Sequence, residues 1–300
     1  MKKLSIAFML TTLVGLLMVS SCKVQKDSEK MTAAIAGTNT LLWKIEGNGI
    51  KPSHIYGTIH MIAQDDYFMN KATEDAFAAA EQVVMELDMD DATIQGSMMR
   101  LALMEDGMTL DKLLSEEDFK KVDDLMQESM GMGVGMFNAW QPMLLTSFFL
   151  PQFIEGTPAS YEGSFLEMSK SANKEIYGLE TVEEQMAAIG SMTMEEQVEM
   201  LMETVNDIDA AKKLFADMVD VYKKQDINSL HKFILEQNGG DLMAEKMIDG
   251  RNKDWIPKIG AFSKDKKTFY AVGGGHLGGT NGVINLLLQA GYKVTPVENN

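Results

Sequence analysis

The sequence predicts an α/β fold, with a mixed sheet built from two βαβ-like halves and a helical insertion between them. Three observations carry that expectation. A strand-end pattern occurs twice, as His54-Ile55-Tyr56-Gly57-Thr58-Ile59-His60 and as Phe269-Tyr270-Ala271-Val272-Gly273-Gly274-Gly275-His276. Strand, helix and strand patterns succeed one another around each copy. From about Asp91 to Lys258 the apolar spacing changes instead to a helical period near 3.6.

Taken in order, Leu41 to Ile45 reads as a strand and Gly47-Asn48-Gly49 as a hairpin turn leading to the strand His54-Ile55-Tyr56. Lys71 to Ala80 has helical spacing, with Ala72, Ala76 and Ala79 among polar positions, and Glu81 to Leu87 is a buried-strand pattern. A strand-helix-strand unit of this length implies parallel pairing, so His60 and Glu86 should emerge on the same edge of the sheet. In the insertion, Ser115, Thr181 and Thr193 each precede acidic residues in the manner of capping boxes or their close variants. Gly131 to Gly135 reads as a loop, because clustered glycines weaken a helix. Trp140-Gln141-Pro142 should open an apolar helix that Pro151 ends. Glu175 to Glu180 reads as a short strand interrupting the helices. The chain then closes with a strand over Lys267 to Val272, a helix over Gly278 to Ala290 and a strand over Lys293 to Val297.

Composition is that of a globular chain, with 45% hydrophobic and 24% charged residues among 300. A formal charge of −17 and the lack of a basic stripe exclude nucleic acid as the main partner, since phosphate recognition needs clustered Lys and Arg. The 26 methionines fall within apolar helical patterns and read as adaptable core filler rather than a copper box. Met1-Lys2-Lys3 followed by the apolar run Leu4 to Val19 reads as an export signal too short to span a membrane as a helix. Val19-Ser20-Ser21-Cys22 resembles a bacterial lipobox. Residues 1–21 are therefore expected to be a lipoprotein signal peptide, Cys22 a lipidated anchor, 22–38 a flexible tether and 39–300 the folded domain. That places the chain in the bacterial cell envelope, at the outer membrane or a periplasmic face.

The recurrent Gly-x-x-His positions a histidine at a strand's carboxyl end, where open α/β sheets gather their ligands. His60, His276 and Glu86, which ends the apolar run Val83-Val84-Met85, supply two imidazoles and a carboxylate, a donor set suited to manganese, cobalt, zinc or iron. Free N–H groups in the loop containing Gly274 and Gly275, just before the expected helix, would face an anion or a developing oxyanion. The loop lacks the acidic follower of a dinucleotide fingerprint, which excludes a nicotinamide cofactor.

Tyr56-Gly57-Thr58-Ile59-His60, Glu86 in Val84-Met85-Glu86-Leu87-Asp88, Gly178-Leu179-Glu180-Thr181 with Glu184-Gln185, Arg251-Asn252 with Trp255, and Val272 to His276 resemble, in this order and spacing, the TraB/GumN family. That family includes pheromone-shutdown proteins and the animal Tiki proteases, and the resemblance covers roughly Leu41 to Val297. It implies a fold related to erythromycin esterases and to a haem-binding bacterial lipoprotein, and a metal-dependent peptidase activity. It implies His60, Glu86 and His276 as the metal or catalytic set. A bound ion would polarise the scissile carbonyl and acidify a water, with Glu86 or Glu180 as an alternative general base. Arg251 would orient a substrate carboxylate or stabilise a tetrahedral intermediate, and Tyr56 and Asn252 would contact substrate. Glu162 lies about where relatives carry an acidic residue. His54 and His231 read as structural. Two rival readings stand beside the metallopeptidase: a non-catalytic peptide- or haem-binding lipoprotein, and a metal-independent esterase-like hydrolase.

Overall fold

Six strands form one mixed sheet in a computed structural model that describes residues 38–237 and 245–298. The expected signal peptide, Cys22 and nearly all of the tether lie outside the described residues. The elements run β1 Leu42–Glu46, β2 Ser53–Thr58, β3 Ile62–Ala63, α1 Lys71–Ala79 and β4 Gln82–Met85. There follow α2 Ile94–Leu101, α3 Leu110–Leu113, α4 Glu116–Met130, α5 Pro142–Leu145, β5 Pro158–Ala159, α6 Tyr161–Ala172 and β6 Ile176–Gly178. After these come α7 Val182–Gly190, α8 Met194–Asn206, α9 Ile208–Lys223, α10 Ile227–Gln237, α11 Gly250–Phe262, β7 Thr268–Gly273, α12 Val283–Gln289 and β8 Lys293–Pro296.

The sheet order is β6-β4-β7-β2-β1-β8. Strands β2, β7, β4 and β6 are parallel neighbours, while β1 pairs antiparallel with both β2 and β8. The β1–β2 hairpin turns through Gly47, Asn48 and Gly49, all at positive φ, which glycine and asparagine tolerate best. The sequence suggests that β2 and β4 belong to one unit. Strand β7 lies between them, so α1 crosses over a strand that arrives from the far end of the chain. The result is a parallel core with the carboxyl ends of β2, β4, β6 and β7 on one edge.

Alternating and continuous apolar runs bury the sheet on both faces. Trp43, Tyr56, Tyr161, Phe165, Trp255, Phe269 and Tyr270 are each at most 1% exposed in one contiguous cluster. A second cluster, with Leu110, Val122, Met126, Val134, Leu145, Phe149 and Leu201, lies within the helical region. Helices α7 and α8 begin at complete capping boxes on Thr181 and Thr193, and α4 begins at a Ser115 side chain that accepts from the Asp118 N–H. Two helical expectations change. The helix opened by Pro142 lasts one turn and continues as a 3₁₀ stretch, Thr146–Phe153, that contains Pro151 rather than ending there. The last helix starts at Val283, not Gly278, because Gly278 to Gly282 form a turn packed against Ile227 and Asn228 at the start of α10.

Candidate active site

The carboxyl edge of the parallel strands is assembled from four segments. Strand β4 stops at Met85 and presents Glu86, and β6 stops at Gly178 and presents Glu180. Strand β7 passes into a single 3₁₀ turn, Gly274–His276. Helix α11 lays Arg251, Asn252 and Trp255 on the face that meets them, since positions four apart share a face.

Arg251 is the centre of the cluster. Its Nε donates to Glu180 Oε2 at 2.9 Å, and its Nη2 donates to Glu180 Oε1 at 2.5 Å and to Glu86 Oε2 at 2.7 Å. Its Nη1 donates to the Met247 carbonyl at 3.1 Å and faces His276 Nε2 at 3.3 Å. A guanidinium carries five N–H groups, so every donor is engaged. The three charged side chains are 15%, 2% and 13% exposed for Arg251, Glu180 and Glu86, so these bonds act where water screens them little. Glu180 also accepts from Trp255 Nε1 and Gln185 Nε2, and Glu86 Oε1 accepts from the Gly273 N–H at 2.8 Å.

Asn252 sets the state of His276. Its Nδ2 donates to the His276 and Asn281 carbonyls, so its Oδ1 must be the atom that accepts from His276 Nδ1–H at 2.6 Å. Nε2 is then a lone-pair acceptor turned toward Arg251. Trp255 stacks on the ring, with centroids 4.5 Å apart. Burial, with Arg251 adding in the same direction and Glu86 opposing, pushes the imidazole down to about 3 and keeps it neutral. Burial alone would raise Glu86, but His276, whose ring gains its charge over the same acid range, the Arg251 and His60 charges and the Gly273 N–H hold it near 2.

His60 differs in every respect. Its Nδ1 lies 3.3 Å from Glu162 Oε1, the oxygen that also accepts from the Thr58 hydroxyl at 2.7 Å. The hydrogen bond to Glu162 raises the imidazole to about 9, so at neutral pH it is an imidazolium. With its side chain 74% exposed, water screens the pair, and its contribution to stability is small.

The edge therefore brings together Glu86, Glu180, Arg251, Asn252 and His276, with His60 close enough to Glu86 for their charges to interact. It does not arrange His60, Glu86 and His276 as ligands of one ion. Among the described residues, no group of three or more His, Cys, Asp or Glu side chains is placed to hold a metal. Tyr56 is 1% exposed and packs on Tyr161 and Phe165 in the core. Gly274 and Gly275 are packing glycines. A Cβ at Gly274 would come 2.8 Å from a Leu230 methyl, and one at Gly275 would come 2.6 Å from Ile234. The N–H that donates to Glu86 is that of Gly273, the last residue of β7. His54 is half-buried in β2, and His231 Nδ1–H donates to the Gly275 carbonyl at 2.9 Å. Glu162 enters as the partner of His60, and no periodicity marks that pairing. A cleft of about 800 Å³ opens beside Glu180 and is lined by Asp88, Asp91, Thr181, Lys258 and Phe262 among others.

A model described as the TraB/PrgY/gumN family matches residues 41–296. Metalloprotease TIKI2 of Danio rerio is 20% identical over an alignment covering 95% of this chain and 67% of its own length. Metalloprotease TIKI2 of Xenopus tropicalis is 21% identical, over 91% and 61%. A Metalloprotease TIKI homolog of Nematostella vectensis is 19% identical, over 87% and 67%. The chain spans about two thirds of the length of these relatives. No solved structure matches it.

Proposed function

Because the chain belongs to the TraB/PrgY/gumN family, we propose that it is a hydrolase of peptide bonds, held at the bacterial cell envelope by lipid on Cys22. The observation that carries this reading is the pair of imidazoles at one sheet edge, His276 neutral against the carboxylate-held guanidinium and His60 cationic beside Glu162. Environments that separate two titrating groups in this way provide a base and an acid in one site.

In this reading a substrate carbonyl oxygen takes the Arg251 Nη1–H that now faces His276, the longest of the five contacts at 3.3 Å. That exchange frees His276 Nε2 to accept a proton from the attacking water as its oxygen bonds to the carbonyl carbon. Negative charge on the carbonyl oxygen then develops against the guanidinium. When the C–N bond breaks, His60 gives its proton to the leaving nitrogen. Asn252 holds the His276 tautomer, and Glu180 and Glu86 hold Arg251.

The metal ion implied by the relatives' name does not fit these residues as they stand. Of the residues that would ligate it, Glu86 and His276 already face Arg251 donors and His60 is paired with Glu162, and no step above runs through it. The relation to erythromycin esterases and haem-binding lipoproteins belongs to the same proposal, supported by a parallel sheet core with a helical region inserted between its strands. The anchor rests on the lipobox-like Val19 to Cys22; no helix among the described residues is long and apolar enough to cross a membrane. The proposed partners are a peptide or protein substrate and the membrane surface, with nucleic acid disfavoured by the charge of −17.

The test is peptide cleavage by the full chain and its His60→Ala variant. Cleavage lost in a folded variant supports the reading. A peptide recovered bound and intact, or a haem Soret band without cleavage, would replace it with the binding-lipoprotein reading.

A further inference from the structure

Three acceptors on three different segments surround one guanidinium, Glu86 Oε2 and Glu180 Oε1 at its Nη2 and His276 Nε2 at its Nη1. Two carboxylates and a neutral imidazole are also the donors a divalent ion of the manganese-to-zinc series would select. The usual support for a ligating imidazole is present as well, because His276 gives its other ring proton to a buried side-chain oxygen. Only the cation differs. Arg251 lies in this set with all five N–H groups engaged, and its guanidinium carbon is 5.3 Å from the centre of the Trp255 ring. Asn252 and Trp255, both fully buried, pin the helix that carries it.

An ion among these acceptors would need the lone pairs that Arg251 holds, and it would place a double charge directly against the guanidinium. We propose that Arg251 is the resident cation of the Glu86–Glu180–His276 set, so that the chain takes no divalent ion there, and that removing the guanidinium turns the set into a metal site. The inference concerns occupancy rather than turnover. It stands or falls on metal content, whatever the peptide-cleavage test returns.

The experiment is elemental analysis of the full chain in detergent and of its Arg251→Met and Glu86→Gln variants. Each is dialysed against manganese, cobalt or zinc and then freed of loosely held ion. The expected result is equal metal content in wild type and Glu86→Gln, with a gain of roughly one ion per chain in Arg251→Met, held by three protein donors with one position open. Metal that wild type and Glu86→Gln both retain lies outside the set and agrees with the proposal. A wild-type ion that Glu86→Gln removes would overturn it, and so would an Arg251→Met chain that is folded by circular dichroism yet gains no ion. Should Arg251→Met fail to fold, the comparison of wild type with Glu86→Gln decides alone.

Discussion

Replacing Arg251 with Met keeps the aliphatic stem and deletes the group that bridges two acidic side chains. Five hydrogen bonds are lost, and carboxylates only 2% and 13% exposed are left without their cation. Removing one partner of a buried ion pair costs about 3–5 kcal/mol, mostly as the penalty on the charge left behind. For a domain of this size each kcal/mol moves the melting temperature by about 2–4 °C, so calorimetry at pH 7 should show a fall of about 6–20 °C. The pH dependence has a definite sign. Glu86 is held near 2 in the folded protein against an ordinary 4.5, so its charge stabilises the native state above 4.5, and that stability is lost as pH falls toward 2. In Arg251→Met a large part of the compensation for its burial is gone, and protonation relieves the penalty that remains. The gap between wild type and variant should therefore narrow on acidification below about 4.5. A fall of less than about 2 °C at pH 7, on the same scale, or a gap independent of pH, would refute the placement of Arg251 as the cluster's keystone.

Three further outcomes follow from the same geometry. His60→Gln should abolish hydrolysis yet change stability by less than about 1 kcal/mol, because the ring is largely exposed; that small contribution is present below 6.5 and disappears as pH rises through about 9, which urea titrations at several pH values can follow. Gly274→Ala should cost about 1–3 kcal/mol by urea denaturation, since its Cβ would meet a Leu230 methyl at 2.8 Å and the Thr58 carbonyl at 3.3 Å. Cys22→Ser should move the chain from the membrane to the soluble fraction on cell fractionation, and unchanged membrane recovery would remove the lipid anchor from the account.

Much of this arrangement is legible before any coordinates. A β-prone run that ends at Gly-x-x-His announces both a strand and the edge at which it stops, and Glu86 follows its strand directly. The capping boxes at Thr181 and Thr193 are local chemistry and fold as local chemistry predicts. What the pattern cannot convey is adjacency. Nothing in the period of β2 or β4 says that β7 will slide between them, because pairing is decided by burial across the whole sheet. Glu162 meets His60 only because α6 passes over the end of β2, about a hundred residues away in sequence. The Gly274 and Gly275 loop was expected to offer N–H groups to an anion. Leu230 and Ile234 of α10 pack against the Cα atoms of that loop, and the N–H seen donating to a site carboxylate is that of Gly273, still in the strand. Arg251 shows the limit most clearly. Its charge suggests an oxyanion partner, and only the count of its five engaged donors reveals that one bond must be released before it can serve.

The measurement that bears most directly on the central claim is mass spectrometry of a mixed peptide library incubated with the full chain and with Glu86→Gln. New amide-cleavage products are expected with wild type and none with the variant, because loss of the Glu86 charge loosens the guanidinium from the position where it must meet the oxyanion. Equal cleavage by both proteins would contradict it.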